Sequence, residues 1–314
     1  MGIIVNVDNF AVAETHRMMQ DLQSDAGGVN RFLHNREPAA VDKQTVIRLN
    51  RDTLYSFAVA DIRDGATFAI PEHGGRYLSA MVVNEHHCIN EIYHDPGVYE
   101  LSQEQFGSQY VVLAVRILVD PANPEDVARV GELQDRLSLE AGSARPFESP
   151  DYDKGTFDET RESLLALARN LSSFDRTFGR KEDVDPVRHL IGTAAGWGGL
   201  PSEEASYIGV DPRLPAGCYE LTVGEVPVDG FWSISVYNAN GFFEPNDRDA
   251  YTINSITGVR DAEGGITVRF GDYPAETPNV LPITEGWNYL VRLYRPRSEI
   301  LNGEWSFPAL AGLT

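Results

Sequence analysis

The sequence predicts a mainly β protein with α insertions, in which two blocks of antiparallel strands are joined by a helical segment and preceded by an N-terminal helix. Strand-like stretches follow one another every ~8–14 residues with Gly- and Pro-containing turns between them, which is typical of sandwiches and barrels. The regular alternation of strand and helix that marks a parallel sheet does not occur. The length of 314 residues is enough for two domains of ordinary size.

The N-terminal part begins with a helix and continues as a block of strands. Apolar residues recur at helical spacing from Asp8 to Leu22, and Gly27 and Gly28 follow as stop signals. Turn sequences such as Asp95-Pro96-Gly97 separate the strands that come next. These strands are predicted at 54–62, 66–70, 76–84, 97–101 and 110–118.

The middle of the chain is predicted to be helical, and strands return after Tyr207. Apolar periodicity predicts helices at 125–140, 157–178 and 187–197, with a linker rich in Gly, Ser and Pro at 141–153. Alternating apolar and polar residues then predict strands at 218–223, 231–237, 266–270 and 287–294. We therefore expect an N-terminal helix and first sandwich at 1–140, a helical linker region at 141–205 and a second sandwich at 206–314.

The charge excludes several classes of partner. With 47 acidic and 26 basic residues the net charge is −21, which repels phosphate backbones and anionic lipid surfaces. No stretch approaches the ~18 apolar residues of a membrane helix, and the N-terminus lacks the pattern of a signal peptide. Two cysteines, Cys88 and Cys218, form no disulfide framework. We expect a cytoplasmic protein with no nucleic-acid or membrane partner.

The densest polar cluster runs from Asn84 to Asp95 and contains three of the seven histidines. If the preceding strand continues through it, side chains alternate between the two faces of that strand. One face then carries Glu85, His87, Glu91 and Tyr93, and the other carries His86, Cys88, Asn90 and His94.

This cluster supplies the catalytic candidates His87, Glu91 and His86. Imidazole is the side chain whose ordinary pKa lies near neutrality, so proton transfer is expected there. A divalent metal bound on the first face and a purely structural polar strand end are open alternatives. The spacing matches no zinc signature, and no phosphate loop or dinucleotide fingerprint occurs, so no metal or cofactor is predicted.

Two further clusters supply substrate-binding candidates. Arg51 and Asp52, with Tyr55 close by, form either a structural ion pair or a clamp for a carboxylate, phosphate or sugar hydroxyl. Trp232, Trp287 and Arg292 lie among Tyr and Asn residues, a composition found both in β-sheet cores and in sites that stack on sugars or aromatic ligands.

Several long phrases resemble the DUF1254 and DUF1214 domains. The DUF1254-like phrases are Asn50-Arg-Asp-Thr-Leu-Tyr-Ser56 and Gly74-Gly-Arg-Tyr77. The DUF1214-like phrases are Pro227-Val-Asp-Gly-Phe-Trp-Ser233, Tyr237-Asn-Ala-Asn-Gly-Phe-Phe-Glu-Pro-Asn246, Tyr251-Thr-Ile-Asn254, Gly286-Trp287 and Arg292-Leu-Tyr-Arg-Pro-Arg297. The resemblance implies two jelly-roll-like antiparallel β-sandwiches, a double jelly roll, and implies little about chemistry.

Members of this family are sometimes labelled carboxylesterase, a label that the sequence tests directly. The Gly-x-Ser-x-Gly elbow of α/β-hydrolases does not occur, and Ser233 has no flanking glycine. An α/β-hydrolase esterase is therefore not expected, whereas a Ser–His–Asp site assembled from distant residues stays open.

Two hypotheses about function follow. The first is a small-molecule enzyme with hydrolase- or lyase-like acid/base chemistry on a sugar-like or carboxylate substrate, held in a cleft between the two sandwiches. The second is a non-catalytic protein that binds a ligand or assembles with itself, in which the histidine cluster lies at an interface. Both hypotheses expect a small-molecule ligand or a homo-oligomer as partner.

Overall fold

The computed structural model describes residues 2–44, 47–169, 171 and 173–310. Within them the protein is mainly β, with several antiparallel sheets and some helices. The helices are α1 (Phe10–Ala26), α2 (Gln103–Phe106), α3 (Pro124–Asp135), α4 (Lys154–Ala168), α5 (Pro186–Gly196) and α6 (Ser298–Leu301). The strands are β1 (Leu33–His34), β2 (Thr53–Asp61), β3 (Ala66–Ile70), β4 (Leu78–Asn84), β5 (Ile89–Tyr93), β6 (Gly97–Leu101), β7 (Tyr110–Leu118), β8 (Ser138–Ala141), β9 (Ala205–Val210), β10 (Tyr219–Val223), β11 (Trp232–Tyr237), β12 (Thr252–Asn254), β13 (Ile266–Phe270), β14 (Val280–Leu281) and β15 (Asn288–Tyr294).

The chain divides into two compact units, each built from separate segments of sequence. Unit 1 consists of Met1–Arg36, Leu54–Leu118 and Ala128–Ser202, and unit 2 consists of Glu37–Thr53, Val119–Val127 and Glu203–Thr314. This division differs from the boundaries expected at 140 and 205. Residues 141–202 belong to unit 1 rather than to a separate linker, and two segments of the N-terminal half belong to unit 2.

Unit 1 contains a five-stranded sheet, a three-stranded sheet and most of the helices. The strand orders are β1-β2-β7-β4-β5 and β6-β3-β8. Every residue of β4 and β7 is buried, because these antiparallel neighbours lie in the interior of the larger sheet. Three helices, α1, α4 and α5, bury a separate apolar cluster that includes Phe10, Phe157, Leu164 and Ile191.

Unit 2 contains a four-stranded and a three-stranded sheet. Their strand orders are β12-β11-β15-β9 and β10-β13-β14. The β11–β15 pair is antiparallel and fully buried, and the β13–β14 pair is parallel. The core of this unit is formed by aliphatic and aromatic side chains from both sheets, among them Trp232, Ile234, Phe270, Trp287 and Val291.

Local sequence explains where the longer helices begin and end. Gly27 adopts a left-handed conformation with φ 74° and ends α1, since glycine has no Cβ to oppose that conformation. Asp153 accepts a hydrogen bond from the Thr156 N–H at the start of α4. Asp185 caps α5 in the same way, with Pro186 at the first helical position.

The predicted elements agree with the structure where a pattern is long, and differ where it is short. Helix α4 ends at Ala168, ten residues before the predicted end at 178, and α3 ends at Asp135 rather than 140. Residues 138–140, which were predicted to be helical, instead belong to β8, which pairs with β3. Among the described residues, no helix combines the length and the apolar character needed to cross a membrane.

We predict that Gly271→Ala strongly destabilises unit 2. Gly271 has φ 126°, and a Cβ atom there would lie 2.0 Å from the carbonyl oxygen of Gly217. A loss of at least about 2 kcal/mol in the free energy of unfolding is expected from urea denaturation. The matched control is Gly264→Ala, where φ is also positive at 87° but nothing lies within 4 Å. Equal losses in the two variants would refute the steric explanation.

Candidate functional site

The stretch after β4 forms a tight turn, which corrects the expectation that the strand continues through the histidine cluster. The side chain of Asn84 accepts hydrogen bonds from the backbone N–H groups of His86 and Cys88, each at 3.0 Å. His87 adopts a left-handed conformation with φ 61°. The expected alternation of faces therefore does not apply to residues 85–88, and β5 begins only at Ile89.

His87 is completely buried and both of its ring nitrogens have partners. Nε2 accepts a hydrogen bond from the Gly198 N–H at 2.9 Å, so Nδ1 carries the proton and donates to Thr193 Oγ1 at 2.8 Å. The ring stacks on Trp197 with centroids 5.4 Å apart. Burial, and next the neighbouring His189, lower the pKa of His87 well below its ordinary value of 6.5. These contacts leave no nitrogen free to exchange a proton with a substrate.

The other two catalytic candidates lie in different surroundings. Glu91 is half-buried on β5 and accepts a hydrogen bond from Arg180 Nη2 at 3.4 Å. His86 is exposed in the turn, and its carbonyl oxygen lies 3.1 Å from His189 Nε2. No hydrogen bond of the described residues joins His87 to Glu91. In the same part of the chain, no three His, Cys, Asp or Glu side chains are grouped so that they could hold a metal ion.

The substrate-binding candidates at 51–55 belong to different units. Arg51 and Asp52 lie in unit 2, and Tyr55 lies in unit 1, where its ring stacks on Phe57. Asp52 is inaccessible to solvent and accepts hydrogen bonds from Ser233 Oγ at 2.6 Å and Thr252 Oγ1 at 3.0 Å. No histidine takes part in these contacts of Ser233, so the arrangement is a buried polar network of unit 2.

Arg292 and the two tryptophans are part of the interior of unit 2. Arg292 donates from Nη1 to Ser235 Oγ and from Nη2 to Tyr237 Oη, both at 2.8 Å. Burial acts to lower the pKa of Arg292, but Tyr237, Tyr294 and Asp52 outweigh this effect, so that the pKa is raised.

Trp232 and Trp287 are 3% and 1% exposed within the apolar core. The structure places their rings in the core, where neither presents a face to a ligand.

A polar arrangement absent from the sequence-based candidates links three elements of unit 1. His16 on α1 lies with Nδ1 2.9 Å from Tyr152 Oη and Nε2 3.4 Å from Glu85 Oε2. The other carboxylate oxygen of Glu85 accepts from the N–H groups of Gln109 at 2.9 Å and Tyr110 at 3.0 Å. We call these three side chains, Tyr152, His16 and Glu85, the relay.

The charge of Glu85 fixes the direction of its hydrogen bond with His16. Burial raises the pKa of Glu85, but the hydrogen bonds from His16 and from the Tyr110 and Gln109 N–H groups lower it more. An ionised carboxylate only accepts, so Nε2 of His16 carries a proton and donates to Glu85. When the ring is neutral, Nδ1 accepts a hydrogen bond from the Tyr152 hydroxyl. Burial, and next the charge of Glu85, raise the pKa of Tyr152.

The relay ends at a cavity of about 540 Å³, which falls within the range of small-molecule sites. Tyr152 forms part of its wall, together with Ala13 and Gln20 from α1 and Phe157 from α4. Tyr152 therefore belongs both to the relay and to the wall of this cavity.

Four charged residues that line the same cavity form two ion pairs, Arg17 with Asp21 and Lys154 with Asp158.

Sequence reasoning missed two of the three relay residues for identifiable reasons. His16 falls between apolar positions of an amphipathic helix, and Tyr152 falls in a linker rich in Ser and Pro. The sequence places Glu85 in the histidine cluster but gives no sign of its partner on α1. The one usable signal was a histidine on the face of α1 that carries Ala13 and Met19, both of which are buried.

Two family models match the chain in the order expected from its phrases. Residues 29–89 match a family described as "Protein of unknown function (DUF1254)". Residues 211–298 match a family described as "Protein of unknown function (DUF1214)". None of the curated proteins compared with the chain matches it.

Two solved structures share the fold. The VPA0106 protein from Vibrio parahaemolyticus is 17% identical, with 98% of each chain covered and a TM-score of 0.75. A putative uncharacterized protein from Burkholderia cenocepacia is 12% identical, with 96% of this chain and 86% of that chain covered and a TM-score of 0.52. At these identities the likeness concerns the fold alone.

We predict that removing the Ser233 hydroxyl destabilises unit 2. In Ser233→Ala the Asp52 carboxylate loses a donor inside the protein, where water cannot replace it. A loss of about 1–3 kcal/mol in the free energy of unfolding is expected from urea denaturation. The exposed Ser298→Ala serves as the control, with an expected change within about 0.5 kcal/mol. Equal free energies of unfolding for Ser233→Ala and Ser298→Ala would show that the network contributes nothing to stability.

We also predict that His87 makes the protein less stable as the pH falls. The folded state holds the ring neutral, whereas the unfolded chain protonates it near the ordinary value of 6.5. The unfolded state therefore binds more protons below that value. As a result, the free energy of unfolding of wild type falls by up to about 1.4 kcal/mol for each pH unit. The neutral His87→Gln variant should lose less between about pH 7.5 and about pH 5.5 in urea unfolding. Equal losses in the two proteins would refute this prediction.

Proposed function

We propose that this chain, which belongs to the DUF1254/DUF1214 domain proteins, is a small-molecule enzyme that performs acid/base chemistry at the cavity bordered by Tyr152 in unit 1. One observation carries the proposal, the hydrogen-bonded relay from Tyr152 through His16 to Glu85. The acid/base role moves from His87 to the relay, since His87 is inaccessible to solvent.

The relay has the order of groups that general acid/base catalysis uses. A substrate hydroxyl or an attacking water gives its proton to Tyr152 Oη while the phenolic proton passes to His16 Nδ1. The charge of Glu85 stabilises the imidazolium that forms. The same path run backwards returns the proton to the leaving group, which is the sequence that a hydrolysis or an elimination requires. Because the tyrosine is reprotonated as it gives up its proton, its raised pKa does not prevent the transfer.

The surroundings of the relay favour a small polar substrate. The cavity walls combine two aromatic rings and short aliphatic groups with an amide, two cationic side chains and three carboxylates. Such a lining holds a sugar-like or carboxylate substrate by a few polar contacts and one apolar face. Neither a metal ion nor an organic cofactor is part of this proposal.

The alternative is a non-catalytic double jelly roll that binds a ligand or assembles with itself. A jelly roll has eight strands in two sheets, and the five-stranded and three-stranded sheets of unit 1 supply that number. The seven strands of unit 2 are similarly divided between two sheets. In this alternative the relay is a structural network, and the partner is a small-molecule ligand or a second copy of the chain.

We further propose that the protein works in the cytoplasm. Both cysteines, Cys88 and Cys218, are free thiols, as is usual in a reducing compartment. The net charge of −21 supports the same expectation that nucleic acids and anionic membranes are not partners.

Turnover by wild type and by relay variants tests the proposed activity. The probes are p-nitrophenyl acetate, a p-nitrophenyl glycoside and a short 3-hydroxy acid, which sample ester hydrolysis, glycoside hydrolysis and elimination. On the probe that is turned over, Tyr152→Phe should reduce kcat/KM by about 10²- to 10⁴-fold, because the ring stays and only the hydroxyl is lost. Glu85→Gln should reduce kcat and change its pH dependence, since the imidazolium loses its counter-charge.

A second tyrosine provides the control for these variants. Tyr99 lies on β6 in the same unit and donates its hydroxyl hydrogen bond to the Asp95 carbonyl, so Tyr99→Phe should leave kcat/KM unchanged. Tyr152→Phe with wild-type kcat/KM would refute the relay as the active site. Absence of turnover by folded wild type on every probe would count against the enzyme and favour the binding alternative.

A further inference from the structure

Arg51 in unit 2 is a buried cation with few partners. It is 8% exposed, and its guanidinium carries five N–H donors. Nη1 donates to the Ala39 carbonyl oxygen, whereas Nε has no hydrogen-bond partner among the described residues. Within the same described residues, no carboxylate lies within ion-pair distance of it.

This burial leaves the charge of Arg51 largely uncompensated. The Cζ atom lies 5.1 Å from the ring centroid of Tyr251, which supplies only a cation–π contact. Burial lowers the pKa of Arg51, and the more distant charges of Asp249 and Tyr251 oppose this without cancelling it. A buried cation without a paired anion is unfavourable, so a bound anion would stabilise this conformation of the protein.

Arg51 forms part of the wall of a cavity of about 230 Å³ within unit 2. This volume is below the ~300–1,000 Å³ of sites for drug-sized ligands, so it suits a molecule of a few heavy atoms. Pro121, Ala122 and Ile253 supply an apolar part of the wall. Arg248 also lines the cavity, but its guanidinium already donates to the carbonyl oxygens of Tyr273, Pro274 and Ala275.

We propose that this cavity binds a short-chain monocarboxylate, with its carboxylate on the guanidinium of Arg51 and its alkyl chain against Pro121, Ala122 and Ile253. The planar guanidinium matches a carboxylate, with which it forms two parallel hydrogen bonds. The site lies in unit 2 and does not depend on the relay of unit 1, so it goes beyond the activity proposed above.

The acidic residues of the cavity select for a single negative charge. Asp120 and Asp249 also line it, which makes a second charge on the ligand unfavourable. Propionate is therefore expected to bind more tightly than phosphate, which is partly a dianion at neutral pH. The apolar wall is expected to favour propionate over formate, because burial of each methylene adds to affinity.

Titration of the wild-type protein with sodium propionate tests the site, with sodium chloride at equal ionic strength as reference. The Nε–H resonance of Arg51, identified by its absence in Arg51→Lys, should shift saturably with half-saturation on the order of 1 mM. The unfolding temperature should rise over the same concentrations, because a ligand of the folded state stabilises it. Arg51→Gln should abolish the rise in unfolding temperature. Arg51→Lys should weaken propionate binding at least about tenfold, because an ammonium group lacks the two parallel N–H donors of a guanidinium.

Control variants separate this site from general charge effects and from the relay. Arg213 forms an ion pair with Asp211, and its side chain is 87% exposed. Arg213→Gln therefore removes the same charge and should keep the propionate response. Tyr152→Phe should keep it too, even if turnover fails. A propionate response that persists in Arg51→Lys with unchanged affinity, or phosphate binding more tightly than propionate, would overturn the proposal. If Arg51→Gln does not fold, the Arg51→Lys comparison alone decides.

Discussion

The requirement that buried polar groups find partners determines where the loops of this protein run. Arg292 on β15 donates hydrogen bonds to the carbonyl oxygens of Arg48 and Leu49, which holds the segment before β2 against the four-stranded sheet of unit 2. Asp52, three residues further along, is bound by hydroxyls from β11 and β12. In unit 1 the same requirement applies to His87, whose Nε2 holds the backbone of Gly198 after α5. Each buried group thus fixes one irregular segment, since an unpaired charge or amide in the interior is strongly unfavourable.

The parts of the fold that could be predicted are those with a long periodic pattern. The helix at the N-terminus and strand β3 agree closely with their predicted ranges, because apolar spacing over several turns or a full strand is unambiguous. Strands β1, β12 and β14 have two or three residues and carry no period that a sequence could reveal. The grouping of 37–53 and 119–127 with unit 2 could not be predicted either, since it depends on contacts between segments far apart in sequence.

The candidate sites depend on contacts between distant residues, which a sequence pattern does not contain. The family resemblance is confirmed by both family models, and Arg51 does line a cavity. The sequence predicts that the strand continues through the histidine cluster, whereas the Asn84 side chain caps a turn there and His87 lies in the core. Tyr152 and His16 come from segments 136 residues apart, and only the folded chain brings them within 2.9 Å. The sequence shows which residues have side chains capable of acid/base chemistry. It does not show their hydrogen-bond partners, because those partners lie far away in the sequence.

The interleaving of the two units has a consequence for synthesis on the ribosome. Translation proceeds from the N-terminus, so all segments of unit 1 exist once Ser202 has been made. Residues 37–53 and 119–127 cannot complete unit 2 until β11, β12 and β15 have been added. During that interval Asp52 cannot form its hydrogen bonds with Ser233 and Thr252. The apolar residues near it cannot yet pack against the four-stranded sheet of unit 2. Such delayed, long-range pairing slows folding and lengthens the exposure of aggregation-prone strands. The net charge of −21 opposes association of such partly folded chains with one another.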